Sequence, residues 1–147
     1  MTLALVAATH LIGLGLGFAG LVVRQLALKE LDREKLEQLF LGDNIAGIGA
    51  LLYLAAGLYR LFGELDKPLA YYTGSTAFQA KMALLVLVFV IETWPMVTFM
   101  RWRMQLARGE EPDLSPGRTF RVLNALEMVL LPVMVVLATS MARGLLY

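Results

Sequence analysis

One histidine, His10, stands in a run of twenty-two residues, 2–23, TLALVAATHLIGLGLGFAGLVV, that holds no charged side chain. An ionisable ring at membrane depth is costly to hold, so its presence points to a function. Imidazole can ligate a metal through a ring nitrogen or carry a proton. At helical spacing Gly13, Gly17 and Gly20 follow His10 at intervals of three, four and three and share its face. Two readings of that face stand open. The glycines form a small-residue seam against another helix, or they leave room for something flat beside the imidazole. GLGLG is not a dinucleotide fingerprint, because no strand precedes it.

Further groups able to do chemistry recur along the chain: Arg24, Asp43, Asn44, Arg60, Lys81, Glu92, Asn124 and Glu127. Asn124 and Glu127, three apart, share a helix face. Glu127 lies about ten residues into its apolar span and must be paired or protonated there. Each of the others has a plainer reading. Lys81 can snorkel to the interface, Asp43 can cap a helix, and Arg60 and Arg143 can anchor helix ends. Met82, Met96, Met128 and Met134 read as packing. A single buried charge can be absorbed by packing, whereas several on facing helices point to a site between them.

Composition limits the choices. The chain has 147 residues, is 59% apolar and carries a net charge of +1. That is too apolar for an ordinary soluble domain and too short for two domains, so residues 1–147 read as one transmembrane domain. The near-zero charge argues against nucleic-acid binding. Without cysteine, disulfides, thiolate haem ligation and iron–sulfur clusters are excluded. Residues 1–23 contain no Lys or Arg, unlike the basic start of an export signal.

Four apolar spans must position these groups, since a bilayer core takes roughly 20 helical residues to cross. The first is expected over residues 3–27. KELDREKLEQ reads as a solvated, helical connector. The second span begins near Asp43 and Asn44 and runs through IAGIGALLYLAAGLYRLF. Residues 63–74, with Pro68, Tyr71 and Tyr72, read as an interfacial loop. The third span covers residues 76–103, with Pro95 expected to kink it. ARGEEPDLSPGR is a turn-rich connector, and Ser115 or Pro116 opens the fourth span over residues 117–142. Nine Lys and Arg residues flank the two connectors, against Arg60, Lys67 and Arg143 on the opposite side. The positive-inside rule then places the connectors in the cytoplasm and both termini outside or in the periplasm. His10 and Lys81 come to lie roughly 12 and 8 Å below the outer ends of their spans, by the helical rise. They can therefore meet. Arg24, Asp43, Asn44, Glu92, Asn124 and Glu127 form a second, inner polar layer, with Arg24 and Asp43 as partners.

HLIGLGLGFAGLVV resembles the first span of HemJ-type protoporphyrinogen oxidases and of the related copper-resistance membrane domains. AKMALLVLVFV is similar to their Lys-containing third span, and RVLNALE to their Arg, Asn and Glu run before the following span. The whole chain, through LGDNIAG, AGLYRLF and the terminal MARGL, also resembles a group of uncharacterised four-helix bacterial membrane proteins. The HemJ likeness implies a haem b between the helices, with His10 matching the family's functional histidine and Lys81 its essential lysine. Such enzymes remove hydrogens from protoporphyrinogen. This sequence lacks the family's further histidine late in the third span, where Glu92 stands. With a single histidine, a sixth iron ligand would be Met, Lys, water or a residue of another protomer.

The expectation is an all-α integral membrane protein of the bacterial cytoplasmic membrane, an antiparallel four-helix bundle set in the lipid bilayer and open to homodimer formation. Its function is expected to be haem binding, with His10 on the iron, Gly13 and Gly17 beside the ring, and Arg60 and Lys81 offering cations to tetrapyrrole carboxylates. Glu127 and Asn124 would orient or relay protons, with Lys81 in the catalytic set. The rival reading is a small transporter or assembly subunit in which the buried charges form an ion or proton path.

Overall fold

A computed structural model describes residues 1–63 and 67–144. Five helices follow one another: α1 Thr2–Lys29, α2 Leu36–Phe62, α3 Leu69–Gly74, α4 Thr76–Ala107 and α5 Gly117–Ala142. No strand occurs among the described residues. Helices α1, α2, α4 and α5 are each long and apolar enough to cross a membrane. In hydrocarbon, only such internally bonded backbone leaves no orphaned amide. Their outer faces match that solvent, with Leu51, Val90 and Val136 among the most exposed side chains.

The fourth span coincides with α5, but the first connector differs from expectation. KELDREKLEQ is not helical throughout. Residues 30–35 form turns, and α2 opens at Leu36. Burial explains the early start: Leu36 and Leu39, three apart, are fully packed and extend the apolar face of α2 toward its N-terminus. Asp43 consequently lies two turns inside α2 rather than at its cap. The expected loop over residues 63–74 is also partly helical, because residues 69–74 coil into α3 behind Pro68. Residues 64–66 of that loop, and Leu145 of MARGL, lie outside the described residues. Ser75 then caps α4 by accepting from the Phe78 amide. Helix α4 continues through the buried Pro95.

Small residues set the closest approach in the fold. Gly13 meets Gly49 and Tyr53, and Gly20 meets Gly42 and Ala46, so residue numbers fall along α2 as they rise along α1. A Cβ at Gly13 would stand 2.5 Å from the Tyr53 backbone nitrogen, a separation that backbone cannot yield. At Gly20 and Gly49 an added Cβ would also strike backbone of the facing helix. At Gly13 and Gly20 the α1 glycine face is thus filled by α2 as a small-residue seam, while a Cβ at Gly17 would meet nothing within 4 Å. Gly15 and Gly47 point into open space.

At the connector end, Ala27, Leu28, Leu36, Leu39, Phe99, Trp102 and Phe120 form a buried cluster drawn from all four long helices. Phe99 and Phe120 meet edge to face with centroids 5.4 Å apart, the arrangement that aromatic quadrupoles favour. Phe120, Asn124, Glu127 and Met134 lie along the buried face of α5. That face leads from the aromatic cluster, past a charged layer, to a cavity near the opposite end.

Candidate functional site

His10 is fixed by α2. Its Nδ1 lies 2.8 Å from the Tyr53 carbonyl oxygen, and a carbonyl only accepts, so Nδ1 donates. The neutral ring then keeps its lone pair on Nε2. A backbone carbonyl that sets the tautomer in this way is the usual support of a metal-ligating histidine. The ring also stacks on the Tyr53 side chain with centroids 4.0 Å apart. Gly57, one turn further along α2, provides the space: a Cβ there would lie 3.0 Å from His10 Cε1.

His10 lines a cavity of about 490 Å³ together with Tyr53, Arg60, Lys67 and Lys81. Lys81 Nζ lies 5.4 Å from the Tyr53 ring centroid, so amine and imidazole both approach one tyrosine. Met82 and Met134 contribute thioethers to the wall, and leucines of α1 and α2 add apolar surface. At the rim, Tyr71 donates to the Met141 carbonyl at 3.3 Å, and Lys67 Nζ sits 3.8 Å over the Tyr71 ring. The volume falls in the range of small-ligand pockets. Its chemistry suits an apolar molecule bearing anionic groups and offering a centre to a nitrogen lone pair.

The expected site residues separate into two places. His10, Arg60 and Lys81 share the cavity, whereas Gly13 and Gly17 do not line it. Gly13 is pressed against α2, and Gly17 backbone lies where a Cβ on Gly49 would fall. Gly13 lets α2 approach, which is what brings the Tyr53 carbonyl within reach of His10, whereas a Cβ on Gly17 would meet nothing within 4 Å. Asn124 and Glu127 stand apart from the cavity as well, in the inner charged layer.

That layer is centred on Arg24, which is 1% exposed. Its guanidinium donates to both Glu92 oxygens, at 2.5 and 3.0 Å, the paired geometry that guanidinium and carboxylate share. Asp43 lies at 3.6 Å and Glu127 at 3.9 Å. Arg103 completes the arrangement from α4, reaching the Asp43 carboxylate and Asn44 Oδ1 at 2.8 Å each and the Phe40 carbonyl at 3.2 Å. Two guanidinium groups therefore face three carboxylates. Asn124 Nδ2 donates to the Leu21 carbonyl and to Gln25 Oε1, both at 2.9 Å, tying α5 to α1. Glu127 Oε1 and Asn124 Oδ1 are buried without a hydrogen-bond partner. Among the described residues no group of three or more His, Asp or Glu side chains is placed to hold a metal ion.

Sequence reasoning paired Arg24 with Asp43 but did not single out Tyr53 or give Arg103 a role. The signal for Tyr53 was the second small-residue stripe, Gly42, Ala46, Gly49 and Gly57, which mirrors the α1 stripe in reverse order and sets Tyr53 opposite His10.

Comparison of the sequence with family models finds a match to a family described as predicted membrane protein, DUF2214, over residues 2–145. The chain belongs to the DUF2214 family. Its four apolar helices make this DUF2214 member an integral membrane protein. No curated protein and no solved structure matches it.

Proposed function

We propose that this DUF2214 protein binds a haem b-type tetrapyrrole in the His10 cavity, where His10 Nε2 would hold the iron. The observation that carries the reading is the Nδ1 hydrogen bond to the Tyr53 carbonyl, which leaves the ring's lone pair on Nε2 in a residue that lines the cavity. The residues present fit the group. Lys81, Arg60 and Lys67 would offer cations to its carboxylates, the leucine walls suit a porphyrin face, and Met82 and Met134 line the same cavity. When bound, haem iron would supply one-electron chemistry, and the protein's part is to orient the ring, hold the carboxylates and exclude water. An oxidoreductase activity like that of HemJ-type protoporphyrinogen oxidases extends this reading. It draws on the likeness of the His10 and Lys81 spans. The reading sets the helices as an antiparallel bundle in the bacterial cytoplasmic membrane, with the termini outside and the basic connectors inside, following the distribution of Lys and Arg.

Titration of haemin into the purified protein in detergent tests the proposal. Saturable one-to-one binding with a Soret band that His10→Ala weakens at least tenfold is expected. Binding that is linear in haemin and unchanged in His10→Ala overturns it.

A second reading rests on the inner layer, where Glu127 Oε1 is buried without a hydrogen-bond partner and three carboxylates face two guanidinium groups. Such a layer suits a proton or ion path in a small transporter or assembly subunit. Flux across liposomes that Glu127→Gln abolishes would favour it. Flux equal to that of empty liposomes would remove it.

A further inference from the structure

A second cavity, about 570 Å³, opens where α1 ends and α5 begins, far from His10 along both helices. Three cations line it: Lys29 from the last turn of α1, and Arg118 and Arg121 from the first turns of α5. None of the three forms an ion pair among the described residues. Two acids of the second connector are engaged elsewhere. Glu111 pairs with Arg33, and Asp113 accepts from the Ser115 amide and hydroxyl at 2.9 Å each. The remaining wall is apolar, through Leu28, Leu31 and Val122. Helix α5 starts at Gly117 without a side-chain cap, so its positive end adds to the field of the three cations.

The position matters as much as the charge. In an integral membrane protein, the level at which two apolar spans end is the headgroup level. A basic pocket between helix ends, floored by leucine and valine, matches a phosphate attached to acyl chains. We propose that this cavity binds the phosphodiester headgroup of an anionic phospholipid. Lys29, Arg118 and Arg121 meet the phosphate, and the apolar wall meets the first methylenes of a chain. The inference is independent of what the His10 cavity holds.

Thermal unfolding in mixed micelles tests it, with phosphatidylglycerol, phosphatidylcholine or inorganic phosphate added separately and the apparent affinity read from the rise in Tm. Phosphatidylglycerol is expected to stabilise the protein, while phosphatidylcholine and inorganic phosphate at equal concentration do not. Arg118→Gln/Arg121→Gln should weaken the phosphatidylglycerol effect about 25-fold, from the usual contribution of one basic residue near an anionic lipid surface. Lys29→Gln alone should weaken it about fivefold, which keeps the test decisive if the double variant does not fold. Arg101→Gln/Arg108→Gln removes two exposed cations at the same end of the molecule but outside the cavity, and should leave the effect intact. Equal losses in the two double variants would reduce the effect to general surface charge and overturn the proposal. So would stabilisation by inorganic phosphate to the same extent, or by phosphatidylcholine.

Discussion

His10 donates from Nδ1 to the carbonyl oxygen of Tyr53 at 2.8 Å and lies stacked on that residue's own ring, with centroids 4.0 Å apart. One residue of α2 therefore fixes both the tilt and the tautomer of the histidine. The backbone contact holds only because α1 and α2 approach at glycine distance, so the seam and the cavity are one construction.

Gly57→Ala tests how closely that construction is tuned. The new methyl would lie 3.0 Å from His10 Cε1, so the ring must shift by a few tenths of an ångström. Disturbance of a ligand's support typically weakens metal binding about 10- to 100-fold. Haemin affinity is expected to fall within that range while Tm changes little. A Tm loss as large as the seam variants produce, with affinity intact, would assign Gly57 to packing instead.

The seam predicts a contrast between glycines. Gly20→Ala and Gly49→Ala drive a Cβ into facing backbone and should destabilise the protein by about 1–3 kcal/mol, as overpacking does. Gly15→Ala and Gly47→Ala meet nothing within 4 Å. They should not destabilise the protein and should raise its stability by up to about 1 kcal/mol, since alanine is the better helix former. Unfolding in mixed micelles at increasing dodecyl sulfate would report both.

Removal of Arg24 leaves Glu92, Asp43 and Glu127 facing one another with only Arg103 nearby. Arg24→Met should destabilise by about 3–5 kcal/mol, the usual consequence of breaking a buried pair. Arg24→Met/Glu92→Leu should recover much of this, because the carboxylate left unpaired is removed as well. A double-mutant cycle with the same unfolding assay measures the coupling, and additive losses would contradict the pairing.

In the second connector, hydrogen bonds from the Ser115 amide and hydroxyl hold the Asp113 carboxyl below the usual aspartate range. A group whose folded pKa is depressed stabilises the fold above its unfolded pKa and loses that contribution as pH falls through the folded value. Asp113→Asn should therefore lower Tm by a constant amount above about pH 4, the unfolded aspartate value. The difference should shrink at lower pH. A Tm difference that is independent of pH would show that the carboxylate charge plays no part.

The four spans were legible because hydrocarbon demands long uninterrupted apolar helices, and the ends of α5 follow directly from that demand. The early start of α2 was hidden by the charged residues around Leu36, whose burial depends on Phe99, Trp102 and Phe120 arriving from distant sequence. Depth counting anticipated that His10 and Lys81 lie at one level, and it separated an outer from an inner polar layer. It also placed Glu127 and Asn124 in the inner layer, but not which groups they face, since rotation about a helix axis is set by packing. The same lack of rotational information left the two readings of Gly13 and Gly17 open. The small residues of α2, in mirrored order, put Gly13 and Gly20 in the seam, while a Cβ at Gly17 would meet open space.

The most direct measurement is the absorption spectrum of the protein purified from a haem-replete host, beside that of His10→Ala. A Soret band at close to one haem per chain in the first, and its loss from a folded His10→Ala protein, is the result expected. A colourless protein under full haem supply, or a band of equal height in both, would contradict the assignment of the His10 cavity.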